Sequence, residues 1–290
     1  DESSPADDLL RKGLIALKSV AGFRTALESP RVIFLYVPAG PAVDQVIEEL
    51  AGHLEPDDII VDGGNSYWGD SRKRYQRLAG RGLQFVDLGT SGGIEGARTD
   101  ACFMAGGDPA AIHVVQPLLE QLCEPGGFVH TGPSGTGHFV KLVHNGIEFG
   151  MLQAIGEGME LLSRFEEPLD MPEILRCWSH GSVIRSWLIE LMEKVLREKG
   201  SLESVPAFIE DTGEVNWLVS DALQREIPIP VIAQSVMQLF ASRDTEQNRW
   251  RAIAMMRHGF GGHPFGADSH IAAERAEGRL GPVVRPEGQG

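Results

Sequence analysis

The sequence predicts an α/β domain with a mostly parallel sheet, followed by an all-α domain. Through residue 134, apolar runs typical of buried strands alternate with helical segments, and this alternation indicates parallel strands joined by helices. After Gly137 only helical periodicity recurs. The change falls at a Gly- and Pro-containing stretch, so we expect domains at 1–134 and 135–265 and a flexible tail at 266–290.

The elements follow from short apolar runs and from helical spacing. The continuous apolar run RVIFLYVP at Arg31–Pro38 is typical of a strand buried on both faces. Strands are predicted at 31–38, 58–62, 83–88, 101–105 and 127–130, with helices at 43–53, 71–80 and 110–122 between them. The helix at 71–80 is charged and is expected to be exposed. The later helices are predicted at 138–164, 171–180, 184–198, 216–225, 229–242 and 246–258.

Composition excludes several classes of protein. The chain has 290 residues and is 42% apolar, and it has no run near the roughly 20 apolar residues that a membrane-spanning helix needs. The net charge of -15 argues against nucleic acid as a partner, but a local Arg and His cluster can still bind a small anion. Three scattered cysteines are expected to be buried, reduced thiols, which favours a cytoplasmic location.

One polar stripe stands out at the start of the second domain. Lys141, His144, Asn145 and Glu148 have the spacing i, i+3, i+4 and i+7, which places them on one face of a helix. A lysine beside apolar residues has a lowered pKa and can act as a base, and a carboxyl group on the same face can donate a proton. The alternative is a salt-bridged surface face, and spacing alone does not decide between them.

Glycines follow three of the predicted strands, as in nucleotide-binding sheets. The first turn is Val37-Pro38-Ala39-Gly40, the second contains Gly63-Gly64-Asn65, and the third contains Ser91-Gly92-Gly93. Glycine allows a backbone to approach a ligand closely, so Asn65 and Ser91 are candidate ligand contacts. The alternative is that these are simple glycine turns with capping side chains.

The dinucleotide fingerprint G-x-G-x-x-G is absent. We expect the first βα unit of such a fold to lie upstream of Asp1, which would place Asp1 where an acid binds the adenosine ribose. The nearest arginine that might favour a 2′-phosphate is Arg11, so NAD is favoured over NADP. Near the other end, Arg257 and His263 form a candidate anion site; the alternative is a solvated arginine and a turn histidine.

Four motifs in register resemble the short, decarboxylating form of 6-phosphogluconate dehydrogenase. They are VDGGNS (61–66), TSGG (90–93), GTGHFVKLVHNGIE (135–148) and RHGFGGH (257–263). The resemblance implies a Rossmann-type domain followed by an all-helical domain in a cytoplasmic homodimer or dimer of dimers. It also implies metal-free oxidation and decarboxylation of 6-phosphogluconate by NAD or NADP, in gluconate metabolism and the pentose phosphate pathway.

The same resemblance implies a role for each motif residue. Lys141 would take the C3 hydroxyl proton, Glu148 would protonate C1 of the enediol, and His144 and Asn145 would hold hydroxyl groups. Substrate binding is implied for Asn65, Ser91, Gly92, Gly93, Arg257 and His263, the last two from the partner subunit. Cofactor binding is implied for Val37, Pro38, Ala39 and Asn65, in addition to Asp1.

The chain departs from the family pattern around the expected phosphate site. Phe149 replaces a tyrosine, residues 211–214 form an acidic loop, and Leu239 replaces an arginine for which Arg243 is a possible substitute. Two alternatives therefore remain open. One is a β-hydroxyacid dehydrogenase for an unphosphorylated sugar acid, and the other is a non-catalytic helical dimer that binds sugar phosphates.

Overall fold

The computed structural model describes residues 7–277, and the side chains as far as residue 275. Its sheet has five strands in the order β1-β2-β3-β4-β5, and only β3 and β4 are antiparallel neighbours. The strands are β1 (Val32–Leu35), β2 (Ile59–Asp62), β3 (Gln84–Ser91), β4 (Ala101–Gly107) and β5 (Cys123–Gly132). The predicted mostly parallel sheet is confirmed.

Helices surround the sheet and make up most of the chain after it. The first six are α1 (Asp7–Arg11), α2 (Phe23–Ala26), α3 (Pro41–Ala51), α4 (Trp68–Ala79), α5 (Gly93–Gly96) and α6 (Pro109–Leu122). They are followed by α7 (Thr136–Ser163), α8 (Met171–Trp178), α9 (Trp187–Lys199), α10 (Glu214–Gln224), α11 (Pro230–Arg243), α12 (Asn248–Gly261) and α13 (Ser269–Glu277). No helix within residues 7–277 is long and apolar enough to cross a membrane.

Strand β2 is buried on both faces of the sheet, which explains why it is a continuous apolar run. Ile59 and Val61 of β2 belong to a core cluster that also contains side chains of α6. Ile60, between them, points to the opposite face, where it belongs to a second cluster with side chains of α3 and α4. Successive side chains of a strand point to opposite faces, so β2 contributes to both clusters.

Helix α4 corrects the prediction of an exposed charged helix at 71–80. Arg74 is only 1% exposed and lies between two carboxylates. Its guanidinium contacts Asp62 at 3.3 Å and Asp44 at 3.1 Å. The many charged residues of this helix predict exposure to solvent. A charged side chain can nevertheless be buried where it is paired with an opposite charge.

The chain divides into two compact units that differ from the predicted domains. The first unit is 1–148 with 211–232, and the second is 149–210 with 233–290. The division therefore falls within α7 instead of at residue 134. Helix α10 belongs to the first unit because its buried Asp221 accepts hydrogen bonds from Tyr67, at 3.0 Å, and from Trp68 of α4.

The second unit has a helical core of its own. Met159 of α7, Leu175 of α8 and two side chains of α9 form its buried cluster. Helix α13 lies in the predicted tail and corrects that prediction for residues 269–277. Its first turn is capped by the Asp268 carboxylate, which accepts hydrogen bonds from the N–H groups of His270 and Ile271, both at 3.0 Å.

The cysteines also depart from the prediction. All three are free, but only Cys123 is buried, whereas Cys102 and Cys177 are exposed. Cys102 lies near the start of β4, between the buried side chains of Ala101 and Phe103.

Candidate active site

The carboxyl ends of β1 and β2 lie side by side, next to the middle of β3. Leu35 pairs with Asp62, which pairs in turn with Asp87. The Asp62 carboxylate accepts hydrogen bonds from the Gly64 N–H at 3.2 Å and from the Ser66 hydroxyl at 2.8 Å. These contacts fix the turn after β2. Such a row of strand ends is the usual ligand-binding edge of an open α/β sheet.

The first two strand ends meet with very little space between them. A Cβ atom on Gly64 would lie 2.9 Å from the Val37 carbonyl oxygen, and one on Gly63 would lie 2.6 Å from the ring of Tyr36. Asn65 is exposed beyond this contact, as are Pro38 and Ala39. Glycine at position 64 is therefore needed for the close approach of the two backbones, and Asn65 next to it is exposed and free to reach a ligand.

The third strand end continues into α5 through a glycine turn. Gly92 has φ +118° and Gly93 has φ +58°, both in the region that favours glycine. A Cβ atom on Gly93 would meet nothing within 4 Å, so its backbone faces open space. Ser91 stands immediately before this turn and is half-buried.

Helix α7 begins directly above β3. The fully buried carboxylate of Asp87 accepts hydrogen bonds from the N–H groups of Gly135, at 2.6 Å, and His138, at 2.9 Å. The Ser134 hydroxyl donates a third bond at 3.2 Å. Burial raises the pKa of Asp87 against the opposing effects of His138 and these donors. Asp87 was not among the residues predicted from the sequence, although a carboxylate inside an apolar strand indicates a buried group that needs polar partners.

His138, in the first turn of α7, is buried against α4. It is 2% exposed, and its Nδ1 lies 2.7 Å from the Ser71 hydroxyl. Its Nε2 is buried without a partner among the described atoms. This histidine ties α4 to the first turn of α7.

The predicted stripe on α7 forms one connected group with β3. The Lys141 Nζ lies 3.4 Å from His144 Nδ1, which also lies 3.2 Å from Asn145 Oδ1 and 3.8 Å from Glu148 Oε2. The opposite ring nitrogen, Nε2, lies 3.1 Å from the Ser91 hydroxyl. The stripe is therefore not a surface face of ion pairs. Its central histidine lies between an amine, an amide and a carboxyl group.

The pKa of Lys141 is lowered by its surroundings. Burial lowers its pKa, while Glu148, Cys102 and Glu214 act in the opposite direction. A lysine with a lowered pKa holds a larger neutral fraction near neutral pH, and only the neutral amine accepts a proton.

Glu214 was not singled out in the sequence as a site residue. It begins α10, and it is half-buried. Its helix packs on α7 so closely that a Cβ atom on Gly146 would lie 2.3 Å from Leu218. The acidic loop at 211–214 belongs to the first unit, and its last residue, Glu214, raises the pKa of Lys141.

The remaining predicted residues are distributed differently. Arg257 is exposed on α12, and His263 follows that helix; both belong to the second unit. Phe149 and Leu239 also belong to the second unit, as does Arg243, which pairs with Glu210 at 3.3 Å. Asp1 lies outside the described residues.

Comparisons with known proteins agree with this arrangement. Residues 1–132 match the family model described as the NAD binding domain of 6-phosphogluconate dehydrogenase, and residues 137–272 match the model of its C-terminal domain. An NAD(+)-dependent, decarboxylating 6-phosphogluconate dehydrogenase of Haloferax volcanii is 40% identical over 247 residues, which cover 84% of this chain and 82% of the relative. The chain belongs to the 6-phosphogluconate dehydrogenase family.

Longer members of the 6-phosphogluconate dehydrogenase family match as well. The NADP(+)-dependent, decarboxylating enzyme of Bacillus subtilis is 35% identical over 262 residues, or 84% of this chain and 55% of the relative. The Plasmodium falciparum 6-phosphogluconate dehydrogenase, solved in its apo form, with NADP+ and with 6-phosphogluconate, superposes with a TM-score of 0.75 at 28% identity. That match covers 90% of this chain and 58% of the Plasmodium chain, so this chain spans just over half of each of these two proteins.

Proposed function

We propose that the chain oxidises and decarboxylates 6-phosphogluconate to ribulose 5-phosphate, with NAD or NADP as the oxidant, in the pentose phosphate pathway. The observation that carries this proposal is Lys141, a half-buried lysine with a lowered pKa, linked through His144 to Glu148. Relatives that use NAD(+) and relatives that use NADP(+) support both cofactors.

In the first step Lys141 removes the proton from the C3 hydroxyl group. The nicotinamide cofactor supplies the oxidising power by accepting the C3 hydride. His144 and Asn145 hold the sugar hydroxyls beside the amine. His144 Nδ1 lies 3.4 Å from the Lys141 Nζ, and Asn145 Oδ1 lies 3.2 Å from the same ring nitrogen. Holding the reacting groups in place is a large part of the rate enhancement expected.

In the second step the protonated Lys141 polarises the new C3 ketone. The C1–C2 bond breaks, CO2 leaves, and the electron pair of that bond passes into an enediol whose oxygen charge the ammonium stabilises. Glu148 then gives its proton to C1 of the enediol, the carbon that was C2 of 6-phosphogluconate. The products are ribulose 5-phosphate and CO2.

The cofactor fits the ends of β1 and β2. Val37, Pro38 and Ala39 follow β1, and Asn65 follows β2, where Gly64 allows the two backbones to touch. A side chain on Gly64 would push these two backbones apart, so glycine keeps residues 37–39 and Asn65 together along one edge. We favour NAD, on the expectation that Asp1 binds the adenosine ribose.

The substrate phosphate is assigned to Arg257 and His263, from the partner subunit. The competing substrate is an unphosphorylated sugar acid, which the negative Glu214 beside Lys141 favours because it repels a phosphate dianion. Cofactor reduction with 6-phosphogluconate and with gluconate, each at several concentrations, tests this choice. We expect a kcat/KM at least a hundredfold higher for 6-phosphogluconate, whereas a preference for gluconate would select the alternative.

A non-catalytic role as a sugar-phosphate-binding dimer is the other alternative. Its prediction is that calorimetry detects 6-phosphogluconate binding while neither nicotinamide cofactor is reduced. Turnover in the assay above would reject this alternative.

We propose that the enzyme is a homodimer or a dimer of dimers. None of residues 248–261 is buried, and one face of this helix exposes Trp250, Ile253, Met256 and Phe260. Monomeric proteins rarely expose a large contiguous patch of apolar side chains, and such a patch is typical of an interaction surface. Light scattering coupled to gel filtration should give a mass of two or four chains, and a mass of one chain would contradict the proposal.

We also propose a cytoplasmic location. The cysteines are all unpaired, and two are exposed, which is typical of a reducing compartment. Cell fractionation with thiol labelling tests this, and recovery of oxidised protein outside the cytoplasm would contradict it.

A further inference from the structure

One face of β3 follows the helix that carries Lys141. Asp87, Gly89 and Ser91 alternate along the strand, and alternate residues of a strand share a face. Each of the three contacts α7. Asp87 binds the N–H groups of the first turn, and Ser91 binds His144 two turns later.

Gly89, between them, lies under Lys141. A Cβ atom at Gly89 would stand 2.5 Å from the Lys141 Cβ and 2.9 Å from the Gly137 carbonyl oxygen. A real Cβ cannot approach another atom so closely, so an alanine there forces the helix or the lysine away. The backbone of β3 thus supports the lysine directly.

We propose that Asp87 and Gly89 are positioning residues, which set the height and the rotation of α7 so that Lys141 meets the substrate carbon. This inference rests on the proposed function. The carboxylate of Asp87 holds the first turn of the helix, and the missing side chain of Gly89 fixes how deep the lysine sits. Neither residue touches the reacting atoms.

The depth of Lys141 has an electrostatic consequence. The ionisable groups that act on it or contact it are His144 and Glu148 on its own helix, Cys102 on β4 and Glu214 on α10. Burial is the largest influence on its pKa and lowers it. A lysine pushed outward is more hydrated, so its pKa rises toward the ordinary lysine value of about 10.4.

The test is Gly89→Ala in the full chain, with Gly156→Ala as the matched control. Gly156 lies on the same helix, and a Cβ there meets nothing within 4 Å. We expect Gly89→Ala to lower kcat about a hundredfold, as a misplacement of about 1 Å can, with a smaller change in KM. The acid limb of the kcat/KM profile should move to higher pH. The control should change neither.

A second readout does not depend on turnover. Acetic anhydride labelling across pH, with the Lys141 peptide followed by mass spectrometry, measures the pKa of that amine. We expect it to be below the ordinary value in the parent protein and raised in Gly89→Ala. An unchanged Lys141 pKa in folded Gly89→Ala overturns the inference. This holds also if the activity of the variant falls, as long as it falls only in proportion to the fraction of unfolded protein.

The isosteric Asp87→Asn variant decides the matter if Gly89→Ala does not fold. Because the Gly135 and His138 N–H groups bind different oxygens of Asp87, an asparagine keeps an accepting oxygen for one of them and turns an amide donor toward the other. We expect kcat to fall at least tenfold, and KM to stay within about threefold, with a raised Lys141 pKa; parent-like values overturn the inference. If the parent protein does not turn over 6-phosphogluconate, the proposed function fails, and the labelling result still reports on the position of Lys141.

Discussion

The Ser91 hydroxyl and His144 Nε2 lie 3.1 Å apart and join the end of β3 to the middle of α7. Through this contact the strand orients an imidazole whose other nitrogen lies 3.4 Å from the Lys141 amine. A histidine held from one side presents the other side in a fixed direction. The glycine turn after β3 and the polar stripe of α7, which are separate motifs in the sequence, are therefore parts of one site.

Replacing Ser91 by alanine should free the His144 ring. We expect kcat/KM for 6-phosphogluconate to fall about tenfold, because a lost hydrogen bond contributes about 1–1.5 kcal/mol and the ring is then less well oriented. Ser204→Ala, in an exposed turn of 3-10 helix, is the control. Equal kinetic constants for the two variants would refute the role of Ser91.

Glu214 should affect the pH dependence of catalysis. Its carboxylate raises the pKa of Lys141, so removing the charge in Glu214→Gln lowers that pKa further. Since the neutral amine is the base, the acid limb of kcat/KM should move to lower pH. The measurement is a pH profile of initial rates.

The control for Glu214 is Glu49→Gln, which removes the same charge from an exposed position on α3. Its profile should match that of the parent enzyme. A limb that moves to higher pH in Glu214→Gln, or does not move, would show that this carboxylate does not act on Lys141.

Arg74 should contribute strongly to stability. Arg74→Met leaves the buried Asp62 without its cation, and breaking a buried pair from one side costs about 3–5 kcal/mol. Urea unfolding followed by circular dichroism measures this change. Lys73→Met, which removes an exposed contact to Asp70, should cost less than about 1 kcal/mol. Similar losses in both variants would contradict the pairing.

Acid should destabilise the protein partly through the same arginine. Arg74 is the largest influence on Asp44, whose pKa is lowered by the hydrogen bond between them. A lowered carboxyl pKa gives stability that is present above the ordinary value of about 3.9 and is lost as the pH falls through the lowered value. In Arg74→Met, the free energy of unfolding should therefore fall less than in the parent protein as the pH drops below about 3.9.

Arg257 should select for the phosphate group. Arg257→Ala removes a charge-assisted contact of about 1.5–3 kcal/mol, so KM for 6-phosphogluconate should rise about tenfold to a hundredfold. The kinetic constants for gluconate should not change. Arg251→Ala, on the same helix, serves as the control. An unchanged KM for 6-phosphogluconate would remove Arg257 from the phosphate site.

The local features of this fold could be predicted from the sequence. Continuous apolar runs identify buried strands, and the spacing of Lys141, His144, Asn145 and Glu148 identifies a polar helix face. The helices predicted after residue 137 agree with α7–α12 to within a few residues. These features depend on neighbours within one or two helical turns, which a periodic pattern records.

The long-range features could not be predicted. The return of 211–232 to the first unit depends on Asp221, Tyr67 and Trp68, which are about 150 residues apart in the chain. Likewise, Arg74 looks like a solvated charge until its partner Asp62 is placed beside it. Sequence periodicity carries no record of which distant carboxylate meets which cation, and it therefore missed Asp87 and Glu214 as well.

The most direct test of the central claim follows CO2 and reduced cofactor together. With 6-phosphogluconate and either nicotinamide cofactor, the parent enzyme should release one CO2 and one ribulose 5-phosphate for each cofactor reduced. Lys141→Met and Glu148→Gln should each fold, as judged by circular dichroism, and should each lose decarboxylation by at least a thousandfold. Decarboxylation retained in either variant would contradict the assigned acid–base roles, and no CO2 release by the parent enzyme would contradict the proposed function.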